Sequence, residues 1–229
     1  MVRQRVLVPP FVGSNPTLRT CPFSSVEQSS RLRTYVSGVR ISQRTLDRFF
    51  RVCYYIKVIV GNVIHYNRQS EDTFVLDKPE LNNIRAFIQS KIYKFVKEIM
   101  NSTDELVITQ SWINKSGKGE SHHEHVHPNS LVSGVWYPVI NEQLPPIQFR
   151  SKSQRDVSLQ CEKFNNFNSA TFLLPMKAGE LIIFPSNLTH SVPANQSETE
   201  RISLSFNTWA KGSLGDINSL TYLPLERCV

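Results

Sequence analysis

Hydrophobic positions in this chain change period once. From Leu81 onward they recur at helical spacing (Leu81, Ile84, Ile88, Ile92, Phe95, Val96 and Ile99), with Lys91, Lys94 and Lys97 mainly off that stripe. Asp77, followed by Pro79 and Glu80, is placed as an N-cap with the acid three residues on completing a capping box. Asn101-Ser-Thr-Asp ends the pattern, so the spacing predicts a helix over about 78–101. After it the apolar runs shorten to strand length at 106–112, 131–140, 147–149, 170–174, 181–184 and 202–209. Turn-forming stretches separate them, among them Lys115-Ser-Gly-Lys-Gly, Leu144-Pro-Pro and Lys177-Ala-Gly. Short strands behind one helix argue a mainly β protein of sandwich or barrel type, with the helix packed outside.

Upstream of residue 46 the chain is rich in Arg, Ser, Pro and Thr and shows little periodicity, as a poorly ordered tail does. Residues 46–64 are more apolar and suit a strand or helix laid against the body. The division expected is a basic leader over 1–60 and one β domain over 61–229.

Charge sharpens that division. The net charge is +7, yet residues 1–60 hold nine Arg and one Lys against Glu27 and Asp47, or +8. The remaining residues hold 16 basic and 17 acidic groups, or −1. A nucleic-acid-binding domain gathers its Lys and Arg on the folded face, so no nucleic-acid partner is expected. No run approaches the ~20 apolar residues of a spanning helix, and Pro9 and Pro10 interrupt the segment where a signal peptide would have its apolar region. Four scattered cysteines without a C-x-x-C pair read as free thiols in a reducing compartment, and the expected location is cytoplasmic.

Four of the six histidines lie in Ser121-His122-His123-Glu124-His125-Val126-His127-Pro128. In extended chain, residues two apart point to one side, so His125 and His127 can present imidazoles to one point, with His190 from a neighbouring strand closing the face. Imidazole suits Fe, Zn, Cu and Ni alike. His65, without company, reads as structural or exposed. A second feature is Arg201-Ile-Ser-Leu-Ser-Phe-Asn207, where alternation sets Arg201, Ser203, Ser205 and Asn207 opposite Ile202, Leu204 and Phe206. A desolvated guanidinium needs an anion, and its planar fork matches a carboxylate. Arg201 follows His190 by eleven residues, which lets a short hairpin bring both to one end of the fold. Tyr137 adjoins the site in sequence as a further ligand-binding candidate.

The motifs Gly119-Glu-Ser-His-His-Glu-His-Val-His-Pro, Ser133-Gly-Val-Trp-Tyr, Gly179-Glu-Leu-Ile-Ile-Phe-Pro-Ser with His190, Arg201-Ile-Ser-Leu-Ser-Phe-Asn and Gly212-Ser-Leu-Gly resemble a family of 2-oxoglutarate- and iron(II)-dependent oxygenases of phages and marine bacteria. The similarity runs from about Glu80 to the C-terminus. It implies a double-stranded β-helix (jelly-roll, cupin-like) and a dioxygenase that uses Fe(II), 2-oxoglutarate and O2 to hydroxylate an unidentified substrate, releasing succinate and CO2. By the resemblance, His190 is the distal metal ligand, Arg201 with Ser203 anchors the far carboxylate of 2-oxoglutarate, and His125 with His127 is the early ligand pair. The general pattern has Asp or Glu where this chain has His127. Either the site is three-histidine, or His122 and Glu124 form the pair; the His-x-His-Pro form favours the first. Glu124 and His123 are then candidates to orient the ligand imidazoles. Two other functions share the cluster: a cupin-like metalloenzyme without oxoglutarate, and a non-enzymatic jelly-roll module with a structural metal.

Overall fold

The computed structural model describes residues 5–7, 33–38, 49, 58–59, 67–141, 143–150, 160–163 and 169–227. Its strands are β1 (Arg5–Leu7), β2 (Arg33–Gly38), β3 (Val58–Ile59), β4 (Arg68–Ser70), β5 (Glu105–Ser116), β6 (His122–His125), β7 (Val132–Val139), β8 (Ile147–Arg150), β9 (Thr171–Leu174), β10 (Glu180–Pro185), β11 (His190–Val192), β12 (Arg201–Lys211), β13 (Ser213–Leu214) and β14 (Leu223–Pro224). One large sheet has the order β1-β2-β10-β7-β12-β5-β4-β3, and a small one the order β6-β11-β8-β9. All these strand pairings are antiparallel. From β5 to β12 the chain passes back and forth between the sheets, which makes a double-stranded β-helix, the fold expected from the sequence.

Two apolar layers result, and the central strands serve both. Within β12, Leu204 and Phe206 face away from the small sheet and join Trp136, Leu181 and Ile183 in a core covered by the helix α1 (Asn82–Lys94). Ile84, Ile88 and Ile92 are the buried stripe of that helix, each worth ~1.5–3 kcal/mol on full burial. Between the sheets a second layer holds Val135, Tyr137, Phe149, Ile182 and Phe184. Gly134 is required where β7 crosses β12, because a Cβ there would lie 2.4 Å from Phe206 Cζ and 2.6 Å from the Ile182 carbonyl oxygen.

The helix begins later than its sequence pattern suggests. Asp77 does not cap it: the cap position is Leu81, without a side-chain hydrogen bond, and Asp77 instead forms an ion pair with Arg85. Pro79 accounts for the difference, since the residue before a proline is disfavoured in the helical region. Lys78 is accordingly extended (φ −68°, ψ 132°), and single 3-10 turns, Val75–Asp77 and Pro79–Leu81, stand on either side of it. At the other end the last turn widens to a π-helical Phe95–Ile99, and Asn101 takes the left-handed conformation (φ 51°) that ends the run.

Most of residues 1–60 lie outside the described residues, as does His65. The described segments there are attached to the body: β2 pairs with β10, β1 with β2 and β3 with β4, and Phe49 is buried edge-on against Trp136 at 5.1 Å. Among the described residues no helix is long and apolar enough to cross a membrane.

Candidate metal centre and anion pocket

His125 and His190 face each other across the small sheet as a register pair of β6 and β11. His127 follows β6, held by its backbone N–H to the Ser186 carbonyl at 2.9 Å. The His-rich segment before β7 has no apolar run, yet it is itself a strand for four residues. Three residues of β11 oppose four of β6, because His190 pairs with His125 and Val192 with His122. Such a bulge shifts the alternation by one position, so His122 joins His125 on the pocket side. The rings of His122 and His125 stack at 4.4 Å. Glu124 is exposed and its carboxylate accepts from Arg150 Nε at 2.5 Å, so the His122–Glu124 register does not bring a carboxylate to the cluster.

The ligand atoms of His125, His127 and His190 all lie within 4.8 Å of one another. Hydrogen bonds fix which nitrogen points inward. His125 Nδ1–H donates to the His123 carbonyl at 2.8 Å and His190 Nδ1–H to the Leu188 carbonyl at 2.9 Å. His127 Nδ1–H donates to Asn207 Oδ1 at 2.7 Å, with Ser133 Oγ at 2.9 Å. Each ring thereby turns an Nε2 lone pair to the centre, and those of His125 and His127 are 3.2 Å apart. Two lone pairs at that distance repel unless a cation lies between them. Metal–imidazole bonds of ~2.1 Å set at right angles would place two such nitrogens about 3 Å apart. The three imidazoles could therefore hold one metal ion between them.

Burial keeps these imidazoles neutral, as ligands must be. It lowers His190 to about 3 and His127 to about 4, and it lowers His125 as well. His122 falls to about 2, through burial first and then the adjacent His125. The sign of the pH dependence follows. Unfolded imidazoles titrate near ~6.5, so below that pH the unfolded chain takes up protons that the folded chain refuses, and stability falls with pH. Urea unfolding of the metal-free protein is expected to show a midpoint that drops from pH 7 to 4, with a flatter slope in His190→Gln.

At the far end of the same pocket lies Arg201, 4% exposed. Its Nε donates to the Pro145 carbonyl at 3.2 Å, one Nη to Tyr137 Oη at 2.9 Å, and the other reaches Ser203 Oγ at 3.5 Å. Among the described residues no carboxylate pairs with it. Burial raises the Tyr137 pKa against the pull of Arg201, so the phenol keeps its proton while its oxygen accepts from the guanidinium. That proton remains available to a ligand. The pocket between the two ends is walled by Val135, Ile147 and Val192.

All six site residues read from the sequence thus border one pocket. The reading missed the groups beside them. Asn207 stood in the polar row of β12 but was given no role, and Ser133 was quoted only as part of a motif. Trp112 and Asn114 alternate on β5 as Arg201 and Ser203 do on β12, and Asn114 Nδ2 donates to Ser205 Oγ at 2.9 Å. Trp112 had been read as the end of an apolar run.

No curated protein matches this chain. Solved structures share its fold at low identity. An oxidoreductase of the 2OG-Fe(II) oxygenase family from Burkholderia pseudomallei is 13% identical, with 76% of this chain and 83% of that one aligned and a TM-score of 0.55. HygX from Streptomyces hygroscopicus, solved with nickel, 2-oxoglutarate and hygromycin B, is 10% identical over 76% and 82%, with a TM-score of 0.55. A Pseudomonas putida prolyl-4-hydroxylase is 11% identical over 77% and 92%, with a TM-score of 0.52. Residues 110–207, the stretch from β5 to β12 that carries the three converging imidazoles and the buried guanidinium, match the family described as "Putative 2OG-Fe(II) oxygenase".

Proposed function

We propose that the protein is a 2-oxoglutarate- and iron(II)-dependent oxygenase in which His125, His127 and His190 hold the iron(II), and Arg201, with Tyr137 and Ser203, holds the distal carboxylate of 2-oxoglutarate. One observation carries this assignment: a buried guanidinium without a described acidic partner shares a pocket with three converging Nε2 atoms. Burying a charge is costly unless it is paired, so a resting Arg201 calls for an anionic ligand. A metalloenzyme indifferent to oxoglutarate would have no use for that anchor. A structural metal would be closed by a fourth ligand, whereas the described cluster has three.

Iron(II) with 2-oxoglutarate and O2 supplies the oxidation, in which succinate and CO2 are released and the substrate gains oxygen. The chain's own share is orientation. Asn207 and the His123 and Leu188 carbonyls hold the three rings in the ligating tautomer. Tyr137 offers its proton to the carboxylate that Arg201 neutralises, and the apolar walls keep water from the centre. The body's near-even charge supports a substrate other than nucleic acid, and the scattered cysteines support work in the reducing cytoplasm.

The test is anaerobic reconstitution with Fe(II), addition of 2-oxoglutarate and then O2, and measurement of succinate. Succinate should form only when both are present. Absence of succinate together with absence of oxoglutarate binding to the Fe(II) protein would end this assignment.

A further inference from the structure

Asn114 and Trp112 are neighbours on the pocket face of β5, yet their polar atoms are treated differently. Asn114 is fully engaged: its Oδ1 accepts from Asn67 at 2.9 Å and Gln69 at 3.1 Å, and its Nδ2 donates to Ser205. Trp112 borders the pocket with its Nε1 buried and without a hydrogen-bond partner among the described residues. A buried donor left unmade is destabilising, which is why such groups are rare and call for an explanation. Trp136 Nε1 is also unpartnered, but that ring packs on Phe49 in the helix-covered core, outside the pocket. Of the two, only Trp112 borders the pocket.

Its position along the strand says which part of the ligand. Arg201 is paired in register with Ser116, Ser203 with Asn114, and Ser205 with Trp112. Four residues of strand, about 13 Å of backbone, separate the Trp112 position from that of Arg201. At the metal end, the Trp112 ring lies 5.6 Å from that of His127. We propose that the Trp112 indole N–H is a ligand-binding donor that recognises the keto-acid end of 2-oxoglutarate, as Arg201 recognises the other. This rests on the oxygenase assignment above, and it makes the wall of β5, which the family-level reading leaves unassigned, part of cosubstrate selection.

The test compares 2-oxoglutarate with glutarate, the same five-carbon diacid without the keto group, in titrations of the anaerobic Fe(II) protein. Trp112→Phe keeps an aromatic wall and removes the N–H. Its affinity for 2-oxoglutarate should fall about ten- to hundredfold, as for loss of a hydrogen bond to a charged group, while glutarate binding stays as in the wild type. A second measurement needs no variant in its readout: in the Zn(II)-loaded wild-type protein, the Trp112 indole ¹H–¹⁵N signal should move on adding 2-oxoglutarate and not on adding glutarate. The chain has three Trp, so the signal is identified by its loss in Trp112→Phe. Unchanged oxoglutarate affinity in the variant, or equal weakening of both diacids, would overturn the proposal. An indole signal that moves only with a hydroxylation substrate would do the same. Failure of the oxygenase assignment looks different, because the wild-type protein would then bind neither diacid.

Discussion

Replacing His190 with alanine should reduce iron(II) affinity by more than about 100-fold, or ~2.7 kcal/mol, and take succinate formation to background. The comparison behind that figure is the ~10–100-fold typical of losing a group that merely orients a ligand; loss of the ligand itself must exceed it. Iron per chain after desalting, measured beside turnover, checks both halves. Glu124→Gln is the informative partner variant. That carboxylate is exposed and engaged by Arg150, so its neutralisation should leave iron content unchanged. If Glu124→Gln loses iron and His190→Ala keeps it, the three-histidine assignment is wrong.

Arg201→Lys should weaken 2-oxoglutarate binding by ~1.5–3 kcal/mol, about 10- to 150-fold, with iron affinity unaltered. Lysine keeps the positive charge but not the planar fork that meets Tyr137, Ser203 and the Pro145 carbonyl at once. The measurement is anaerobic titration of the iron(II) protein with 2-oxoglutarate, beside iron titration of the protein alone. A variant that loses iron and oxoglutarate in parallel would show Arg201 to be supporting the fold of the site and not the cosubstrate.

Strands with enough apolar residues were readable from pattern alone, since β5, β7, β8, β9, β10 and β12 each overlap one of the runs. The two that carry ligands were not. β6 is His-His-Glu-His and β11 is three residues long, so neither offers an apolar alternation to detect. Their strand character comes from pairing with each other and with β8, a long-range property. The bulge that brings His122 inward is invisible for the same reason. Asp77 matched a capping pattern, but Pro79 decided the local backbone first. Arg201 could be picked out because a charged residue inside an apolar strand is conspicuous. Asn207 was harder, because its role depends on a partner eighty residues earlier. Trp112 was hidden by its own chemistry: an indole in an apolar run looks like core, and its unused N–H becomes apparent only when the surroundings are known.

β12 has no idle side. Its even-numbered residues Leu204 and Phe206 lie in the helix-covered core, and its odd-numbered Arg201, Ser203, Ser205 and Asn207 are the polar row of the site. A one-residue insertion or deletion ahead of Leu204 would exchange the two sets, sending the apolar pair toward the pocket and the polar row toward α1. The genetic consequence is a linkage between foldability and chemistry in one short segment. Descendants of this sequence can vary the connections between strands in length and composition, and with them the substrates they admit. Their β12 must be inherited in frame, altered only by point exchange.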